Sequence, residues 1–279
     1  MRHNLSRVFA AGVALLVLTP AFAADMTEPP MIEPAPPVVY EEPDMGGWYI
    51  RGDLDYHLAG FRGADYITYG PPAGTNSFTT GALSNSWSIG GGVGYQATKH
   101  FRVDATLDYM LRSTFTGSTT GTCAGLPCTS SDTSTYSALL LLANAYADLG
   151  TYKGVTPYVG VGIGGAHVNW GTLANTISGV TTNHNGASGW RFAYAAMAGA
   201  SVCLTGNLDL DVGYRFSHIS GGRMFALDAG GGAGPGFDKG IQNHEVRAGL
   251  RYKLNGKKSG GCREVAYAPD PAPGPIYKN

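Results

Sequence analysis

FRVDATLDYMLR, from Phe101 to Arg112, decides the fold. Phe101, Val103, Ala105, Leu107, Tyr109 and Leu111 share one parity. Arg102, Asp104, Thr106, Asp108 and Arg112 share the other, with Met110 the only apolar intruder. Side chains along a strand point alternately to opposite faces, so this segment has one oily face and one charged face. A sheet in water buries its oily face under a second layer. No segment here supplies that layer, yet the alternation recurs down the chain. The oily face therefore points outward, into a membrane, from a closed barrel.

Seven more segments carry the pattern: Gly47–Leu58, Asn85–Gln96, Tyr136–Leu149, Thr156–Trp170, Trp190–Leu204, Leu208–His218 and Asn243–Leu254. In Tyr136–Leu149 the run Leu139 to Leu142 is apolar on both parities, and Asn144 and Asp148 place the even parity inward. The links alternate in length. Ala97–His100, Gly150–Val155 and Thr205–Asn207 are short; Ala59–Ser84, Ser113–Thr135, Gly171–Gly189 and Ile219–Gln242 are long. Membrane barrels of the bacterial outer membrane have an even strand count, short periplasmic turns and long extracellular loops. The expected fold is all-β: an eight-stranded antiparallel transmembrane β-barrel of up-and-down topology over residues 47–254. Long loops are expected outside the cell, and both termini in the periplasm. The long links are rich in Gly, Ser, Thr and Asn and read as mobile surface segments with no receptor code.

The chain ends fit export. Arg2 and Arg7 precede an apolar run from Val8 to Leu18, and Ala21-Phe22-Ala23 is a small-x-small cleavage site, so residues 1–23 read as a signal peptide. Residues 24–46 and 255–279 are Pro-rich spacers, a periplasmic linker and a periplasmic tail, with a periplasmic partner or the cell wall as the contact they would make. Only 14% of residues are charged and the formal net charge is −1, so no basic footprint for nucleic acid exists. Four cysteines suit an oxidising compartment. Cys123 and Cys128 are expected to close a small loop, leaving Cys203 and Cys262 as a second candidate pair; the spacing offers no metal ligand set. No cofactor is expected. His167, His184 and His244 lie in or near the long links as single exposed histidines without a metal motif.

Expected interior charges are Arg51, Arg102, Arg112, Arg191, Arg215, Arg247, Arg251 and Lys253 against Asp53, Asp55, Asp104, Asp108, Asp148, Asp209, Asp211 and Glu245. An eight-stranded barrel has room inside only for side chains, and buried charges must pair or cost several kcal/mol each. A cross-braced plug follows, which counts against a wide pore.

Arg247-Ala-Gly249-Leu-Arg-Tyr252-Lys-Leu254 resembles the C-terminal targeting signal of outer-membrane barrels: polar, x, Gly, x, x, aromatic, x, hydrophobic. It departs from that pattern in being followed by Asn255 to Asn279. With GGWYIRGDLDY, TPYVGVGIG and the PIYKN tail, residues Gly47 to Leu254 resemble the small outer-membrane β-barrel (opacity/porin-like surface antigen) family of alphaproteobacteria. The resemblance implies insertion by the barrel-assembly machinery, contact with outer-membrane lipid and lipopolysaccharide, and surface exposure. It implies a structural and surface-interaction role first, with a low-conductance porin or a haem- or ligand-binding surface protein as alternatives. His218-Ile-Ser220 also resembles the His-x-Ser of outer-membrane lipid A deacylases, but Gly221 stands where that family has Asn, and no acid is placed to orient His218. An enzyme is not expected.

The inside/outside phase is testable. Leu107→Arg, outward near mid-strand, should cost about 2–4 kcal/mol of folding stability in bilayers, whereas Thr106→Ser, inward, should cost little. Equal losses in urea titrations of vesicle-embedded protein would contradict the phase.

Overall fold

The computed structural model describes residues 46–70, 73–227 and 233–254. The proposed signal peptide, linker and tail lie outside the described residues, as does Cys262. In chain order β1 (Gly47–Phe61) leads into β2 (Ala64–Thr68), β3 (Gly74–Ser77) and β4 (Thr80–Leu83). Next come β5 (Ser86–Thr98), β6 (Phe101–Ser118), the small hairpin β7 (Thr120–Cys123) and β8 (Leu126–Thr129), and β9 (Ser131–Asp148). β10 (Val155–Trp170) is followed by β11 (Leu173–Ile177) and β12 (Val180–His184). The chain finishes with β13 (Ser188–Thr205), β14 (Leu208–Ile219), β15 (Gly222–Phe225), β16 (Ala233–Asp238) and β17 (Ile241–Lys253).

Eight long strands close on themselves. The order β9-β10-β13-β14-β17-β1-β5-β6 is joined end to end by the β6–β9 pairing, and every neighbour is antiparallel. The eight expected segments are these strands. Closure removes every open edge of the cylinder, so the backbone groups of the wall pair from strand to strand. Outward positions carry Ile50, Leu54, Ile89, Val93, Leu107, Val161, Ile163, Val212 and Leu250, all exposed. The even parity of β9 faces inward as expected, with Asn144, Tyr146 and Asp148 buried.

The long links differ from their expected form. The strands run on past the apolar band: β6 and β9 are 18 residues each, whereas about 9–11 tilted residues cross a bilayer. The remaining length builds a β-rich end piece. β15, β16, β2 and β3 form a separate four-stranded sheet that joins the first long link to the fourth, and β7–β8 is a hairpin closed by the Cys123–Cys128 disulfide. Ser77 donates a 2.5 Å hydrogen bond to Asp65, and Lys239 pairs with the same carboxylate at 3.0 Å. These partners hold the Asp65 carboxyl below the usual carboxylate range. The tie it makes between the two links is therefore present at neutral pH and lost as acid titrates the carboxylate.

Inside this end lies an apolar core. Phe115, Tyr136, Trp170, Leu83, Met224 and Phe225 are buried there, with Phe61 and Phe78 packed against them. Rings meet edge to face, Phe115 and Trp170 at 5.6 Å and Tyr136 and Trp170 at 5.1 Å. Such pairs add to the burial of large side chains. Phe115→Ala should cost about 3–5 kcal/mol in urea unfolding of the refolded protein, because the closed wall limits collapse around the void.

Candidate functional site

The barrel interior is where sequence, geometry and charge converge. Cross-strand register puts Asp108, Gly90, Asp53, Gly249 and Asp211 in one inward row. Acid alternates with glycine, and the reason is steric. A Cβ at Gly249 would run into the Asp53 carboxylate, and one at Gly90 into that of Asp108. The glycines make room for the carboxylates and for the arginines that reach them from neighbouring rows.

Arg215 is the hub, fully buried. Its guanidinium donates to Glu245 at 2.6 Å, Asp108 at 2.6 Å and Asp55 at 3.0 Å, joining β14 to β17, β6 and β1. Arg247 donates to Asp55 at 2.9 Å and Asp108 at 3.1 Å. Arg51 grips Asp53 through two bonds of 2.8 Å and reaches Asp104 at 2.9 Å. Toward the short-turn end, Arg102 bonds Asp148 at 3.0 Å and its guanidinium stacks 4.1 Å from the Tyr146 ring. Arg251 and Lys253 both bond Asp209, each at 2.9 Å, and Asp211 lies 3.6 Å from Arg251. Toward the long-loop end Arg191 donates to Asp238 at 2.6 Å, and the Trp170 indole donates to the same carboxylate at 3.1 Å.

One expected interior charge is misplaced. Arg112 is exposed, because β6 carries a bulge between Met110 and Ser113 where it pairs with β9. The bulge reverses the parity, so Ser113 and Phe115 turn inward. Two acids were missed: Asp238, and Asp132, which is buried and bonded to Ser130 and Asn175. The interior thus holds more acid than base, not equal numbers. Asp238 was hidden by the Gly-rich GPGFDKG around it.

The histidines do not come together. His167 and His244 stand outward on β10 and β17, with two strands between them, whereas His184 is buried against Phe225 at 5.2 Å rather than exposed. His218 packs on Tyr194 at 5.1 Å, and its buried Nδ1 has no hydrogen-bond partner. No group of three or more His, Cys, Asp or Glu is disposed to hold a metal among the described residues.

Residues 11–253 match the profile of the family described as outer membrane protein beta-barrel domain. The chain belongs to that family. It is 35% identical over 269 residues to an uncharacterised protein of Brucella abortus, a match covering 84% of this chain and 93% of the relative. A Rickettsia rickettsii protein provisionally named an adhesin is 25% identical over 210 residues, covering 74% of this chain and 88% of the relative. Among solved structures, the outer membrane protein OprG of Pseudomonas aeruginosa aligns with 74% of this chain and 96% of its own, at 11% identity and a TM-score of 0.46.

As an outer membrane β-barrel, the protein must keep its outer wall apolar, and the last strand shows how both faces are served. Arg247 and Gly249 point inward while Tyr252 and Leu254 are exposed outward. Arg247 is thereby a member of the internal network as well as part of the C-terminal motif.

Removing one partner of a buried ionic cluster leaves the others uncompensated. Arg215→Met should therefore destabilise the barrel by about 3–5 kcal/mol in vesicle urea titrations. Adding Glu245→Gln should recover part of that loss. Gly249→Ala should lower the unfolding midpoint too, by displacing Asp53 from Arg51.

Proposed function

We propose that this outer membrane β-barrel protein is a closed structural scaffold that presents its long-loop end at the cell surface for contact with other surfaces, with both chain ends in the periplasm. The observation that carries the reading is double closure. An ion-paired ladder fills the lower interior and an aromatic core fills the upper one. A diffusion pore needs a continuous wet path, and both fillings oppose one. The end piece supports the surface role. Two long links share a sheet there and a third carries a disulfide-closed hairpin, a platform held in shape without a ligand. The adhesin name of the rickettsial relative is consistent with that role. Arg247, Gly249, Tyr252 and Leu254 act as the barrel-assembly signal, and the Pro-rich segments 24–46 and 255–279 as periplasmic spacers.

Planar-bilayer recordings on refolded protein test the closure: no stable conductance steps are expected, and stable steps would overturn the reading. Orientation is read separately. An epitope inserted between Ser178 and Gly179, at the β11–β12 turn, should be reached by antibody on intact cells.

A further inference from the structure

The bulge that removes Arg112 from the interior gives it another setting. On β9 a single residue, Ser137, stands opposite the Leu111-Arg112 pair, and both residues of the pair are exposed. Bulges re-aim side chains in this way. The Arg112 guanidinium has no ion pair or hydrogen bond among the described residues. Register continues the row across the wall from Ser137 to Asn169 on β10 and Ser188 on β13. The row beneath runs Tyr109, Leu139, His167, Trp190, with His167 and Trp190 rings 5.4 Å apart. Because Ser137 and Ser188 are small, a groove of about 390 Å³ opens between the two rows, lined by Tyr109, Ser137, Leu139, His167, Asn169 and Ser188.

The groove sits where the outer wall changes character. Below it the outward positions are hydrocarbon, with Leu107, Leu141, Val161 and Ile163 exposed. Its lining holds no carboxylate: it combines Ser137, Asn169 and Ser188 with the His167 imidazole, the Tyr109 ring and the apolar Ala138 and Leu139. On the β6 side the register sets Arg112, unpaired among the described residues, opposite the Ser137 of that lining. Arginine is suited to phosphate, hydroxyl and amide groups to sugar hydroxyls, and Tyr and Trp to the membrane interface. We propose that this groove is a headgroup site for one phosphorylated glycolipid of the outer leaflet, of the lipid A type. Arg112 meets a phosphate, Ser137, Asn169 and Ser188 meet the sugar, and the acyl chains lie down the wall over Leu141 and Ile163. The inference rests on the outer wall facing lipid, as in the proposed function.

The test is native mass spectrometry of the full-length protein from detergent, with diphosphorylated lipid A or phosphatidylglycerol added at equal concentration. A one-to-one lipid A adduct is expected, about tenfold more populated than the phosphatidylglycerol adduct, and reduced about tenfold in Arg112→Gln. Asn169→Leu, which keeps the charge, should lower it as well. Arg62→Gln, an exposed cation in the β1–β2 link, should leave it unchanged. Equal retention of the two lipids, or retention unaffected by both groove variants, overturns the site. Quenching of tryptophan emission by brominated lipid in vesicles separates the two readings. Without quenching, the lipid-facing wall itself is wrong; with quenching but no preference for lipid A, the groove proposal alone fails.

Discussion

The structure depends on satisfying Arg215 and the carboxylates around it, all fully buried. Three acids from β17, β6 and β1 converge on one guanidinium that β14 supplies. That arrangement exists in one register only. A slip of one residue in any of the four strands would move its charges to the lipid face and its aliphatic side chains into the ladder. The ion pairs contribute little net stability against an apolar filling, since desolvation offsets their attraction. Their leverage is over alternatives: misregistered barrels are excluded by several buried charges at once. The glycines are part of the same requirement, because the acids fit only where Gly90 and Gly249 stand beside them.

The same pairing supports the proposed closure of the interior. Rows with Arg51, Arg215 and Arg247 are tied across the lumen, not only to strand neighbours; the Arg215–Asp108 bond spans the barrel from β14 to β6. Opening a path would mean breaking bonds that several strands share. A surface role asks nothing of the lumen and is compatible with this rigidity.

Much of the cylinder was legible in the sequence, because two-residue alternation is a strong signal when one face meets hydrocarbon and the other meets charge. Strand number, inward parity and most of the buried charges follow from it. What escaped was the change beyond Met110. Leu111 and Arg112 continue the alternation letter by letter, so the bulge leaves no local mark except an apolar residue at an inward position. With the phase unreversed, Phe115 reads as an isolated aromatic in a Ser/Thr stretch, and Ser113 to Thr135 reads as a loop. Likewise Phe61, Trp170 and Phe225 lie at strand ends far apart in sequence, and only closure of the barrel brings their side chains together.

Near the level of the bulge the outward positions of β9 and β10 turn from apolar to polar, and the inward positions of β1 from charged to apolar. Below it β9 buries Asn144, Tyr146 and Asp148 together with Leu140 and Leu142 and exposes Leu141; above it β9 buries Tyr136 with Ser134 and Asp132 while Ser137, Thr135 and Thr133 turn outward. In β1 the inward series runs from Arg51, Asp53, Asp55 and His57 up to Ala59 and Phe61. On β10 the outward series passes from Val159, Val161 and Ile163 to His167 and Asn169. One physical cause accounts for all three. Where the surroundings are hydrocarbon, apolar side chains gain nothing by turning inward and the lumen takes the polar ones; where the surroundings are water, the hydrophobic effect drives apolar groups inside. β1, β9 and β10 make the switch by changing composition at constant phase, whereas β6 makes it by changing phase. Arg112 stands at that boundary, too high for the ladder and in place for the polar edge of the lipid.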